Sequence, residues 1–362
     1  MAKAAPVFVS DPFSTLRCLA PHRPFEESLM SDTPLPTLHF PFERDLLDAP
    51  EGRVLVLGAR QDFRLPEGFS EALVVQGFRP DFIALERGGF DVRPLPEGED
   101  YPSALILLGR HRAENEQMLA QALLRVKADG LIVAAGTKKD GAASMRKRVE
   151  GLLPIDDHAS KFHGVVFWLR RPVEISSELL DQFTPAEEAA DFFTAAGGFS
   201  DDGVDQASAL LADHLPEDIK GPTADFAAGW GYLSTRLAAR HPEIAIDLYE
   251  AHHASLEAAR QNMERHAPQT QARFFWHDLV QEPVEERYNF IMMNPPFHSG
   301  SKAVPDLGIN MIEAAAKALK SGGRLYLVAN RPLPYEDALQ RLFRQSGETT
   351  RDNSFKVLWG RK

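Results

Sequence analysis

The sequence has 362 residues, with 40 Lys and Arg against 52 Asp and Glu, for a net charge of −12. That length fits two domains of about 100–200 residues. The single cysteine, Cys18, excludes an internal disulfide and a cysteine-ligated zinc or iron–sulfur cluster. No apolar run approaches the ~18 residues of a membrane helix, so a reduced, cytoplasmic protein is expected. The acidic total argues against bulk attraction to nucleic acid.

Residues 1–36 are expected to form a disordered arm. Asp11, Pro12 and Arg17 interrupt any apolar leader core, prolines recur to Pro41, and Met30 offers an alternative start. From Arg53 the chain reads as an α/β domain over 37–175. Short β-branched runs predict strands after Gly52, at Ala72–Gln76, Ser103–Gly109, Gly130–Ala135 and Val165–Leu169, and Glu114–Lys127 is a helix. Residues 176–222 hold 11 acidic residues and one basic one, Lys220, and read as an acidic linker ending in an apolar helix at Gln206–His214. Residues 223–362 repeat the alternation. Strands are predicted at Thr223–Ala228, Ala245–Tyr249, Ala272–Trp276, Tyr288–Met293 and Arg324–Ala329. Helices fall at Tyr232–His241, His252–His266 and Leu307–Lys320, and Thr349–Trp359 forms a terminal antiparallel pair. Strands alternating with helices imply parallel sheets, and the shared rhythm suggests an internal duplication.

Two corners of the second half carry chemistry. Asp225-Phe226-Ala227-Ala228-Gly229-Trp230-Gly231 joins a strand to a helix, where Gly229 and Gly231 let backbone approach a ligand at a helix start. Glu250 ends the next strand, where an acid can accept ribose hydroxyls. Ala at position 227 and no Gly three residues past Gly231 disfavour a dinucleotide. Asp225 suits the amino group of a methionine-bearing cofactor, S-adenosylmethionine (SAM). The second corner is Asn294-Pro295-Pro296-Phe297. Its prolines fix φ and remove donors, leaving the Asn294 side-chain oxygen and the Pro295 carbonyl to accept the hydrogens of a planar amine. Phe297 can stack on a heteroaromatic ring.

Together these corners resemble a class I SAM-dependent methyltransferase of the Asn-Pro-Pro-(Phe/Tyr) type. Asn294–Gly300 (Asn-Pro-Pro-Phe-His-Ser-Gly) is similar to the motif of the ribosomal RNA small subunit methyltransferase C family and its large-subunit relative. The stretches 198–205, 328–335 and 355–358 fit it as well. The resemblance implies two tandem Rossmann-like domains with seven-stranded sheets, the first a degenerate copy that binds no cofactor. It implies methyl transfer from SAM to the exocyclic amine of a guanine in ribosomal RNA. It places the methionine end of SAM on the turn from Asp225 to Gly231, the ribose at Glu250, and the adenine amine at Asp278 beside Leu279. Phe199 and Ser200 close the pocket, and Asn294, Pro295, Pro296 and Phe297 hold the guanine. Family members usually have Gly where Ala227 stands, so a methyl group there crowds the cofactor.

No metal and no membrane contact are expected, since the adjacent His252 and His253 point to different faces. The protein is expected to be a monomer. Residues 101–175 carry 12 Lys and Arg against 8 Asp and Glu, leaving −16 elsewhere. Lys138, Lys139, Arg146, Lys147 and Arg148 are therefore candidates for RNA contact. The alternatives are a glutamine methyltransferase acting on release factors, an adenine-amine methyltransferase, and an RNA-binding scaffold without catalysis.

Overall fold

The computed structural model describes residues 33–184, 191–198, 203–296, 298–299, 302–303 and 305–362. It contains two seven-stranded sheets with one strand order. The first sheet holds β1 (Arg53–Leu57), β2 (Glu71–Val75), β3 (Asp91–Arg93), β4 (Tyr101–Leu107), β5 (Val126–Thr137), β6 (Asp157–Lys161) and β7 (Gly164–Arg170), in the order β3-β2-β1-β4-β5-β7-β6. The second holds β8 (Thr223–Phe226), β9 (Ile246–Glu250), β10 (Ala272–Trp276), β11 (Tyr288–Met293), β14 (Leu319–Asn330), β15 (Gln345–Arg351) and β16 (Phe355–Arg361), in the order β10-β9-β8-β11-β14-β16-β15. A two-stranded ribbon, β12 (His298–Ser299) and β13 (Lys302–Ala303), lies between β11 and β14 in the chain. In each sheet five strands run parallel and the last two pair antiparallel.

The central strands are apolar because both their faces are covered. Leu55, Ile106 and Ile132 of the first sheet pack to one side, and Val54, Leu105 and Val133 to the other. The second sheet divides in the same way, with Phe226 and Ile291 on one face and Leu248 and Met292 on the other. The covering helices of the first half are α1 (Leu35–Glu43), α2 (Arg79–Arg87), α3 (Arg112–Arg125), α4 (Ala142–Glu150) and α5 (Ser177–Asp181). Those of the second half are α6 (Gln206–Asp213), α7 (Tyr232–Arg240), α8 (His253–His266), α9 (Pro305–Ala318) and α10 (Tyr335–Leu342). Among the described residues no helix is long and apolar enough to cross a membrane.

Two sequence expectations shift. The arm expected over residues 1–36 does not extend through residue 36, because α1 begins at Leu35 and buries Leu35, Thr37 and Leu38 against the first sheet; residues 1–32 lie outside the described residues. Pro36 lies in its first turn, where the missing N–H costs nothing. The segment 176–222 is more than a linker. Leu211, Leu215 and Ile219 join the core of the second sheet with Leu237 of α7.

The two sheets meet through equivalent loops. Leu57 pairs with Val75 in the first sheet as Phe226 pairs with Tyr249 in the second. Gln76 therefore corresponds to Glu250, and Phe78 to His252. Phe78 and His252 form an antiparallel bridge. Arg79 N donates to Ala251 O and His253 N to Gly77 O, both at 2.8 Å. The joint is thus locally two-fold, as expected if one domain was copied and docked on the other. Arg79 reinforces it with two bonds to Glu282, at 2.9 and 2.6 Å, and lies 4.8 Å above the Trp276 ring.

Candidate active site

The strand ends place the polar residues. Asp225 is the third residue of β8, a strand buried throughout. Its Oδ2 accepts from Ser234 Oγ of α7 at 2.7 Å, and its Oδ1 is buried with no partner. Burial pushes its carboxyl from 3.8 up to about 7, with the Ser234 bonds opposing. A buried acceptor left unmatched costs free energy until a donor reaches it. A cationic amine would both match it and favour its charged form.

The turn after Asp225 folds tightly. Ala227, Gly229 and Gly231 all have positive φ, of 57, 55 and 84°. Glycine adopts this region freely and alanine does not, so Ala227 carries a backbone cost besides the crowding expected from its methyl. Glu250 closes the turn from β9. Its Oε2 accepts from Gly229 N and its Oε1 from His252 N, both at 2.8 Å. Burial raises the Glu250 pKa, and those backbone donors oppose the rise. Burial first, then His253 and His111, pushes His252 down to about 4, so that ring is neutral at pH 7.

Asp278 follows β10 and is buried. Its Oδ1 accepts from Val280 N at 2.9 Å and Gln281 N at 3.3 Å, and its Oδ2 accepts from Gln281 Nε2 at 2.7 Å. The carboxylate thus shapes the loop that carries the buried Leu279. An adenine amine there would share an oxygen already used by Gln281.

Asn294 stands at the end of β11, beside Asp225 because Met292 pairs with Asp225 and Met293 with Phe226. Its side chain is buried. Nδ2 donates to Asp205 Oδ2 at 2.9 Å and to Ser208 Oγ at 2.8 Å. A recess lined by Asp205, Ser208, Ala227, Gly229, Trp230 and Asn294 joins this corner to the turn after β8. The structure thus brings together Asp225, Ala227, Gly229, Gly231, Glu250 and Asn294, with Pro295 and Pro296 continuing from Asn294. Phe199, Ser200 and Phe297 lie outside the described residues. The sequence alone points to no role for Asp205, Ser208 or Ser234. Asp205 caps α6 by accepting from Ser208 N at 2.7 Å, and an Asp three residues before a Ser at a helix start was the signal available.

No group of three or more His, Cys, Asp or Glu suited to a metal occurs among the described residues. Neither adjacent histidine faces such a group: His252 Nδ1 meets Ser255 Oγ at 2.9 Å and His253 packs on Trp276.

The chain is similar to known proteins in sequence and in fold. Residues 189–359 match the methyltransferase small domain family. The ribosomal RNA small subunit methyltransferase C of Shewanella sediminis is 25% identical over 87% of this chain and 91% of its own length. That of Psychromonas ingrahamii is 28% identical over 70% of this chain and 74% of its own. A T. thermophilus 16S rRNA N2 methyltransferase, solved with AdoMet and guanosine, superposes with a TM-score of 0.72 at 23% identity, covering 90% of this chain and 92% of that one. Residues 189–359 thus match the methyltransferase small domain, and with its paired sheets the chain is similar along most of its length to the ribosomal RNA small subunit methyltransferase C proteins.

Proposed function

We propose that the protein transfers the methyl group of SAM to the exocyclic amine of a guanine in ribosomal RNA, with 16S rRNA of the small subunit as its substrate. One observation carries the reading: both hydrogens of the Asn294 amide are taken by Asp205 and Ser208. Its oxygen is left as an acceptor at the strand end next to Asp225. The names of the relatives, which match over most of the chain, support the rRNA substrate.

The residues present fit SAM. The orphaned Asp225 Oδ1 suits its amino group, Glu250 its ribose, and the loop of Asp278 and Leu279 its adenine. When bound, SAM supplies an electrophilic methyl on a sulfonium. The chain's own work is positioning. The Asn294 oxygen and the Pro295 carbonyl accept the two amine hydrogens and turn the nitrogen lone pair toward the methyl. The amine proton leaves after attack, so no base stronger than water is needed first. Phe297 is assigned the face of the guanine ring, which must be extruded if it is paired or stacked.

The first domain is assigned to RNA contact. A cavity of about 590 Å³ opens beyond β4 and β5, lined by Arg110, Arg112, Lys139, Lys147 and Arg148 with Asp140. Arg148 is also tied to Glu116 and to Gln182 O, and Arg146 to Glu150. Arg110 and Arg112 are paired as well, with Asp140 and Glu116, so the cavity as a whole is the proposed phosphate surface. A cytoplasmic monomer is the form proposed for this activity.

The test is tritiated-methyl transfer from SAM to 30S subunits, 50S subunits and naked rRNA from a strain lacking the gene, with the labelled base mapped. Label on a guanine amine of 16S rRNA, lost in Asn294→Ala while SAM still binds, is expected. Full activity in Asn294→Ala, or label on a protein glutamine, overturns the reading.

A further inference from the structure

We propose that Asp205 is a positioning residue that fixes which end of the Asn294 amide faces the substrate. The proposal rests on the methyl-transfer reading above and goes beyond it in one respect. It assigns amine selectivity to the start of α6, 89 residues from Asn294 in sequence.

An asparagine side chain presents two N–H donors on one side and an accepting oxygen on the other, and rotation by half a turn exchanges them. At Asn294 both donors are engaged, by Asp205 Oδ2 at 2.9 Å and by Ser208 Oγ at 2.8 Å. An ionised carboxylate only accepts. A flipped amide would set its oxygen against Asp205 and leave both hydrogens without those acceptors, in a corner where Asn294 and Ser208 are both buried. One orientation therefore holds, with Oδ1 outward. A substrate amine meets an acceptor, whereas a substrate carbonyl meets a second oxygen.

The same Asp205 oxygen accepts from Ser208 N at 2.7 Å and caps α6. Its two roles are separable by substitution. Serine caps helices about as well as aspartate, but its oxygen sits one bond closer to the backbone, so Asp205→Ser keeps the cap and withdraws the acceptor from Asn294. Asp205→Asn keeps an oxygen for both bonds.

The experiment compares the wild type, Asp205→Ser, Asp205→Asn and Ser208→Ala in the full chain. It reads kcat and the KM for SAM on rRNA, the thermal midpoint, and hydrogen exchange of the ¹⁵N-labelled Asn294 side-chain amide. In Asp205→Ser, kcat is expected to fall at least about ten-fold, as for a lost catalytic hydrogen bond, with KM for SAM and the midpoint unchanged. The Asn294 amide protons should exchange faster. Asp205→Asn recovers most of the lost kcat, and Ser208→Ala falls between. Wild-type kcat and slow exchange in Asp205→Ser would overturn the proposal and leave Asp205 a cap. Equal losses in Asp205→Ser and Asp205→Asn, with lowered midpoints, would also overturn it. A wild type that methylates no rRNA refutes the substrate reading alone, because Asn294 exchange still reports the orientation without turnover.

Discussion

The two domains share a sheet order and even a docking loop, yet their central strand ends differ in polarity. The register identifies the counterparts. Where the second domain has Asp225 the first has Val56, and where it has Asn294 the first has Leu107. Both replacements are buried hydrocarbon. Gln76 stands for Glu250 and keeps one of its bonds, accepting from Phe78 N as Glu250 does from His252 N. The amide nitrogen then donates to Ala59 O, sealing the turn that Glu250 closes through Gly229 N. Gly58, the counterpart of Ala227, also has positive φ, at 74°. The turn is thus a property of the fold, whereas a ligand site needs acids at the strand ends as well. Replacing two polar side chains by hydrocarbon and one acid by an amide leaves the architecture intact and removes the site.

The largest test of this contrast is Asp225→Asn. It removes the charge that an amino group would meet, and cofactor affinity should fall roughly 10–100-fold, the value of a charge-assisted hydrogen bond. Titration calorimetry measures it. The carboxyl is held at about 7 when folded, against 3.8 when exposed. The folded chain therefore binds the extra proton between those values. The stability Asp225 contributes is present below about pH 4 and lost as pH rises to about 7. Cofactor affinity should move the opposite way, tightening up to about pH 7 as the carboxylate ionises. In Asp225→Asn both slopes should vanish. Wild-type affinity in the variant would show that the amino group is held elsewhere.

A second test sets the domains against each other by partner. Replacing Arg110, Lys139 and Lys147 with Ala or Gln should weaken RNA binding and flatten its salt dependence by roughly 0.7–0.9 for each phosphate no longer neutralised. Cofactor affinity should not change. Filter binding between low and high salt checks this. An unchanged salt slope would make the first domain a structural support only.

The sequence carried the contrast unevenly. Ile246–Glu250 and Tyr288–Met293 were legible because buried parallel strands are continuous apolar runs between turns, and the half-buried edge strand Ala272–Trp276 because it ends in the aromatic run Phe274-Phe275-Trp276. The edge strands β3 and β6 were not. β3 buries one residue, Val92, and β6 none, so neither shows a period. α10 is hidden because Pro332 and Pro334 precede it, though its first turn carries Glu336 and Asp337. In the site, Asp225, Glu250 and Asn294 could be found because each lies at or within one residue of a strand end. Asp205 and Ser208 could not be assigned to Asn294, since no local spacing encodes a contact across 86–89 residues. The joint between Phe78 and His252 was invisible for the same reason.

Gln76→Glu asks whether restoring the acid restores a site. The new carboxylate would face Ala59 O, which now accepts from Gln76 Nε2. Two acceptors facing each other at a partly buried turn should destabilise by about 1–3 kcal/mol. The thermal midpoint falls, and titration with SAM still finds one site per chain. A second site would mean that the acid alone, and not the Val56 and Leu107 replacements, decides function.

The smallest effect is expected at a turn position where the decayed copy carries the more permissive residue. Ala227 holds φ at 57° while Gly58 fills the matching place in the first domain. An L-residue in this region costs about 1–2 kcal/mol, and replacing Ala by Gly returns roughly 0.4–1 kcal/mol of that through unfolded-chain entropy. Ala227→Gly should therefore leave stability level or raise the thermal midpoint by a degree or two, and calorimetry should show SAM binding a few-fold tighter once the methyl is gone. Weaker binding would mean that the Ala227 methyl packs against the cofactor. The alanine would then be a contact of the active copy, and the domains would differ at their shared turn by design of the ligand surface as well as by loss.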